Sequence, residues 1–180
     1  MKVVIDTSSM MSLVRYYLPF DKKVKLFELI LSKVKSGEII LLDKVVDECQ
    51  YVASGVIVSK LPFISEKKNQ HKTTDFLPNK AFFNMLENQF VNSAIRRNLT
   101  DTQFESQKST FLDSADAKIL LYSIFKNKSG DEIVVVTEES TTSNDNKSFK
   151  KIPAICEILG IKCMNLPELL LTYPEIDLQF

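Results

Sequence analysis

Three short, unbroken apolar runs constrain this chain more than any other feature: Val3-Val4-Ile5, Ile39-Ile40-Leu41-Leu42 and Ile133-Val134-Val135-Val136. None alternates with polar residues, and each stops at a polar one, as strands covered on both faces do. They predict strands over 2–6, 39–42 and 132–137. Between the first two, residues 21–36 place Val24, Phe27, Ile30, Leu31 and Val34 on one helical face, with Gly37 as a stop. Asp43 is expected to cap a helix over 44–53. Later segments predict helices over 113–126 and 153–159, the second ended by Gly160, then a strand over 161–164 and a helical turn or two over 167–171. Strands alternating with helices give an α/β domain with a mainly parallel central sheet flanked by helices.

A length of 180 residues fits one domain. Residues 56–112 do not fit the alternation. Pro62 and Pro78 bracket a polar stretch, SEKKNQHKTTD, and 80–97 and 102–111 look helical, so this part is expected to be a helical and polar insertion. With 23 basic and 23 acidic residues the chain carries no global field that would attract a polyanion, so nucleic-acid binding would have to come from local patches. Cys49, Cys156 and Cys163 are odd in number, lie among apolar residues and form no CxxC pair, which favours buried, reduced thiols over zinc or disulfides. Asp6 interrupts the first apolar run well before a signal-peptide core could form, and no stretch is long enough to span a bilayer. The expected location is the cytoplasm, with no membrane association.

The acidic residues recur in informative places. Asp6 follows the first strand and Glu138-Glu139 follow the strand ending at Thr137, and in a parallel sheet the ligand site lies beyond the carboxyl ends of the strands. Glu48 sits on the second predicted helix. Asp113 and Asp116, three apart at the start of another, are expected to face the same way. Carboxylates gathered together repel, so such a set is tenable when a cation offsets it. Oxygen donors without a histidine suit Mg²⁺ or Mn²⁺. Each acid also has an ordinary explanation: Asp6 as a turn residue, Asp113 as a helix cap with Asp116 as a favourable first-turn charge, Glu48 as solvated surface, and Glu138 and Glu139 as loop acids.

Taken in order, VVIDTSS, DEC, DSADAKILLYSI and VVVTEES resemble the PIN-domain family of metal-dependent ribonucleases, whose members include toxins of bacterial type II toxin–antitoxin pairs. The closing KIPAICEILGIKCMNLPELL is similar to the end of a PIN branch that uses a TEE step. The resemblance covers most of the chain outside 56–112. It implies a Mg²⁺- or Mn²⁺-dependent endoribonuclease in which Asp6, Glu48, Asp116 and Glu139 are catalytic and bind metal, with Asp113 as an auxiliary ligand. Thr7, Thr137 and Glu138 would support the ligands. It also implies an RNA substrate and a protein antitoxin as partner, and leaves a homodimer open. Two departures stand out: the fourth acid is usually Asp and is here Glu139, with Glu138 competing for the role, and Ser8 stands where many members have Asn.

Other features weigh less. The single histidine, His71, lies in the polar middle segment and is expected to be a solvated loop residue. Lys60, Lys67, Lys68, Lys72, Arg96 and Arg97 make that segment basic, and Lys147, Lys150 and Lys151 form a second cluster. Solvated surface is the ordinary reading of both. The functional one is phosphate tracking, with Lys67, Lys68, Arg96, Arg97, Lys150 and Lys151 as RNA contacts. A phosphatase of the haloacid-dehalogenase type would want a second Asp where Ser8 stands, and no glycine-rich phosphate loop is present. The alternative to an enzyme is a non-catalytic PIN-like module that binds RNA or a protein.

Overall fold

A computed structural model describes residues 1–141 and 147–175. Five strands, β1 (Lys2–Ile5), β2 (Ile39–Leu42), β3 (Gln70–His71), β4 (Ile133–Val136) and β5 (Cys163–Met164), form one sheet in the order β3-β2-β1-β4-β5. Every pair is parallel. Val3 lies opposite Ile39 on one side and Val134 on the other, so the three apolar runs are the three central strands, and burial on both faces accounts for their unbroken hydrophobicity. The domain is α/β, with helices flanking the sheet.

The helices in chain order are α1 (Thr7–Ser12), α2 (Lys25–Lys35), α3 (Asp43–Tyr51), α4 (Val56–Lys60), α5 (Lys80–Met85), α6 (Ser93–Arg96), α7 (Asp101–Asp113), α8 (Ala115–Lys128), α9 (Ile152–Leu159) and α10 (Leu166–Leu171). From β1 the chain moves outward to β2 and β3, then crosses back to lay β4 on the other side of β1. The order in which strands are added therefore reverses between β1 and β4, although the two run parallel. At such a switch point the connections leave in opposite directions and open a crevice beyond the strand ends.

Several sequence expectations need correction. The helix expected over 21–36 starts at Lys25. Val24 precedes it in the left-handed region at φ +58° and is 49% exposed, and the buried stripe is Leu26, Ile30 and Val34. Asp43 is the first residue of α3, not its cap. Its carboxylate instead accepts from Lys44 N and from Thr73 N and Oγ1, tying the chain after β3 to the start of α3.

The segment 56–112, expected as a helical and polar insertion, carries helices α4 to α6 and most of α7 and joins the core. It supplies the edge strand β3, paired through Leu41 with Gln70 and Leu42 with His71, and it buries Ile57, Leu61, Ile64, Phe82, Leu86 and Phe90 in the common core. The helix expected over 80–97 is broken: α5 runs into a wide-pitched turn at Leu86–Phe90, and α6 restarts after Asn92. His71 is exposed, as expected, but is a strand residue and not a loop residue; its ring packs edge-on against Tyr122 at 6.1 Å, and partial desolvation lowers its pKa, helped by Lys126 and Lys2. After β4, Phe149 makes an antiparallel bridge with Val91, while residues 142–146 lie outside the described residues.

The helix expected to open at Asp113 opens at Ala115. Asp113 ends α7, and Ser114, extended at ψ 161°, breaks the two helices apart and caps α8 by accepting from Ala117 N. Serine is among the best residues for that position, because its hydroxyl satisfies an amide the helix leaves open. The last expected strand shortens to Cys163–Met164. Cys49 and Cys156 are buried, whereas Cys163 is exposed. Among the described residues no helix is long and apolar enough to cross a membrane.

Candidate active site

The crevice at the switch point is built from the residues that follow β1 and β4. Asp6 ends the first strand and, in an extended conformation, caps α1 by accepting Thr7 N at 2.7 Å on Oδ1. Its Oδ2 accepts the Ser8 hydroxyl at 2.6 Å and the Thr137 hydroxyl at 2.9 Å. Asp6 is only 5% exposed, so this charge is held by neutral donors, the arrangement that makes a buried carboxylate tolerable. The cradle extends further: Ser8 Oγ accepts Glu138 N at 3.0 Å, and Thr137 Oγ1 accepts Glu139 N at 3.2 Å.

α3 brings Glu48 to the same place. Thr7 Oγ1 donates to Glu48 Oε2 at 2.6 Å, so one threonine links the turn after β1 to the acid on α3. Beside it, burial pushes the Cys49 thiol up to about 12, which leaves it inert.

The two glutamates after β4 diverge. Glu138 Oε1 accepts Leu166 N at 2.6 Å, holding the start of α10, and its charge acts on Tyr17. Glu139 turns the other way: Oε2 accepts Ile152 N at 3.2 Å at the start of α9, and Oε1 lies 3.8 Å from Lys147 Nζ. The Glu139 charge also reaches Asp116 in the first turn of α8.

Asp116 is where the acids meet. Its carboxyl is pushed up to about 7, first by burial, then by the charges of Asp6 and Glu139, with Glu48 adding to the same direction and Lys147 opposing it. The positive end of α8, which ordinarily favours an anion, does not outweigh them. Four acids from four separate stretches of chain thus share one field. Among the described residues, however, no group of three or more His, Cys, Asp or Glu is close enough to be a ready-made cation site.

The remaining expected site residues are elsewhere. Asp113 does not share a helix face with Asp116; it is exposed at the end of α7 and pairs with Lys44 at 3.2 Å. Lys67 and Lys68 precede β3 and lie toward the opposite edge of the sheet, where Lys68 pairs with Glu66 at 2.9 Å in a neighbourhood that includes Lys35. Arg96 is occupied in its own element, stacking over Phe104 at 4.3 Å and pairing with Asp101 at 2.6 Å, and exposed Arg97 caps α6. Lys150 and Lys151 stand beside Asp116 across a groove.

Sequence reading gave too little weight to Ser8, whose hydroxyl bridges Asp6 and Glu138 N, and to Lys147, which pairs with Glu139. Ser8 lay within the motif after Asp6; nothing in the sequence linked Lys147 to Glu139.

No curated protein and no solved structure matches the chain. The sequence profile of one family matches residues 3–173. The chain belongs to that family, described as Domain of unknown function (DUF4411).

Proposed function

We propose that this protein is a Mg²⁺- or Mn²⁺-dependent endoribonuclease whose metal ligands are Asp6, Glu48, Asp116 and Glu139. The observation that carries the reading is that the charges of Asp6, Glu139 and Glu48 all act on the half-buried carboxyl of Asp116 near the β1–β4 switch point. A hard divalent ion fits that donor set and offsets its charge. Such an ion, when bound, activates a water and stabilises the oxygen that leaves in phosphodiester hydrolysis.

The chain's own residues prepare for this. Ser8 and Thr137 fix the position of the Asp6 carboxylate, and Thr7 does the same for Glu48. Lys147 supplies a positive charge beside Glu139. Glu138 is occupied with α10 and is a structural anchor rather than a ligand. The toxin role, with an antitoxin as partner, rests on the PIN resemblance alone.

A second reading, a non-catalytic RNA- or protein-binding module, is favoured by one observation: Glu139 already accepts from an α9 amide, as a purely structural acid would. Calorimetric titration of Mn²⁺ into the wild type and Asp116→Asn decides between them. Binding by the wild type that is lost in the variant supports the nuclease, and cleavage of RNA dependent on the same ion completes the case. Absence of binding in both favours the module.

A further inference from the structure

The end of α9 brings Cys156 and Cys163 together. Gly160 is left-handed at φ +65°, and Ile161 N donates to Cys156 O at 2.9 Å, so the chain folds back over the last turn of the helix and runs into β5 beside it. The two side chains interact directly, each being the strongest single influence on the ionisation of the other. Their surroundings differ. Cys156 belongs to the buried stripe of α9 with Ile152 and Ile155 and is fully inaccessible, whereas Cys163 is exposed on the edge strand. The contact draws the Cys163 thiol below its ordinary value, against burial and the charges of Glu168 and Asp6; the same contact, with burial, pushes the Cys156 thiol up. Cys49, whose neighbours on α3 and in the turn after β1 are Glu48, Thr7 and Asp6, is not part of this pair.

We propose that Cys163 and Cys156 form an oxidation-sensitive dithiol, which a hydroperoxide converts to an intramolecular disulfide tying α9 to β5. The Cys163 thiolate attacks one oxygen of hydrogen peroxide; the O–O bond breaks, and the departing hydroxide takes up the proton the thiol had released, leaving water and a sulfenic acid. The Cys156 sulfur then attacks the Cys163 sulfur. An S–S bond forms, the S–O bond breaks, and hydroxide leaves with the Cys156 proton as a second water. Two thiols lose two electrons and one peroxide gains them, and a dithiol reductant reverses the change. An accessible sulfur of lowered pKa beside a second that can resolve it is the pattern of a redox-sensing cysteine. Burial of Cys156 keeps it from peroxide and from other molecules, which directs the bridge within the chain. The bridge joins two elements that steady the end of β4: Met164 O accepts Thr137 N at 3.0 Å, and Ile152 N at the start of α9 donates to Glu139. It does not depend on the acids binding metal.

The test is to treat the reduced full chain with hydrogen peroxide in EDTA, unfold it in an alkylating reagent and map the cysteines by peptide mass spectrometry. The wild type should lose two hydrogens, yield a linked peptide pair holding Cys156 and Cys163, keep Cys49 alkylated, and regain all three thiols with dithiothreitol. Cys163→Ser, a change at an exposed position, should form no bridge and lose thiols about tenfold or more slowly. Cys156→Ser should halt at the sulfenic acid of Cys163, trapped as its dimedone adduct. Phenylarsine oxide, which clasps two neighbouring thiols without oxidising them, should bind the reduced wild type one to one and bind Cys163→Ser about tenfold or more weakly, a readout that does not need the buried variant to fold.

A bridge between chains, a bridge to Cys49, oxidation of Cys163 to sulfinic acid with no bridge, or equal arsenical binding by the wild type and Cys163→Ser overturns the proposal.

Discussion

Thr137 donates its hydroxyl to Asp6 Oδ2 at 2.9 Å, joining the ends of two adjacent parallel strands across 131 positions of sequence. Both residues are nearly inaccessible, 3% and 5% exposed, so the bond holds a charge that has little water to turn to. Thr137→Val keeps the shape and removes the donor. It should cost about 1–3 kcal/mol of folding stability, the usual cost of depriving a buried charged acceptor, read as a lower urea midpoint with an unchanged slope. A loss below the error of the measurement would mean that Ser8 and the Thr7 amide suffice.

Asp116 predicts a pH dependence with a definite sign. Its ordinary value is 3.8 and its folded value about 7, so between these limits the folded state holds a proton that the unfolded chain has released. Its contribution to stability therefore falls as pH rises from about 4 to 7 and is constant outside that window. In EDTA, Asp116→Asn should remove this contribution and be the more stable protein at pH 8, by roughly 1–3 kcal/mol, with the difference vanishing near pH 4. With saturating Mn²⁺ the order should reverse, because the ion binds the wild-type folded state. Thermal melts at the two pH values, with and without the ion, read all of these differences.

The divergence of the two adjacent glutamates predicts that they are not interchangeable. Glu139→Gln should weaken Mn²⁺ binding about tenfold or more, since a charged ligand is lost. Glu138→Gln should leave metal affinity within about twofold, because the side chain faces Leu166 N and not Asp116, and should instead loosen α10, seen as faster amide exchange at Leu166 and its neighbours. The reverse ranking in the metal titration would overturn the assignment of the fourth ligand.

If residues 56–112 are integral to the core, a single truncation there should be as damaging as one in the central strands. Phe90 is fully buried, and its ring packs edge-on against Phe82 at 5.7 Å. Phe90→Ala should cost about 3–5 kcal/mol. A change of less than about 1 kcal/mol would mean that the segment folds as a separate cap.

What the sequence determined was the part of the structure governed by local pattern. Unbroken apolar runs can be satisfied only by burial on both faces, so Val3–Ile5, Ile39–Leu42 and Ile133–Val136 announced a parallel α/β sheet, and the acids at the ends of two of them announced an edge where charge collects. Gly160, left-handed at φ +65°, stops α9 where it was expected to. What local pattern could not carry was anything fixed by a distant partner. β3 is too short to have a period of its own and exists because Leu41 and Leu42 offer it a ladder. Asp113 and Asp116 have the spacing of one helix face, but the cap at Ser114 puts them on two helices, and only the tertiary packing turns Asp116 toward Asp6 and leaves Asp113 to Lys44. The difference between Glu138 and Glu139 is likewise a matter of which helix start each one meets, at Leu166 or Ile152, and a long-range contact of that kind leaves no periodic trace in a sequence.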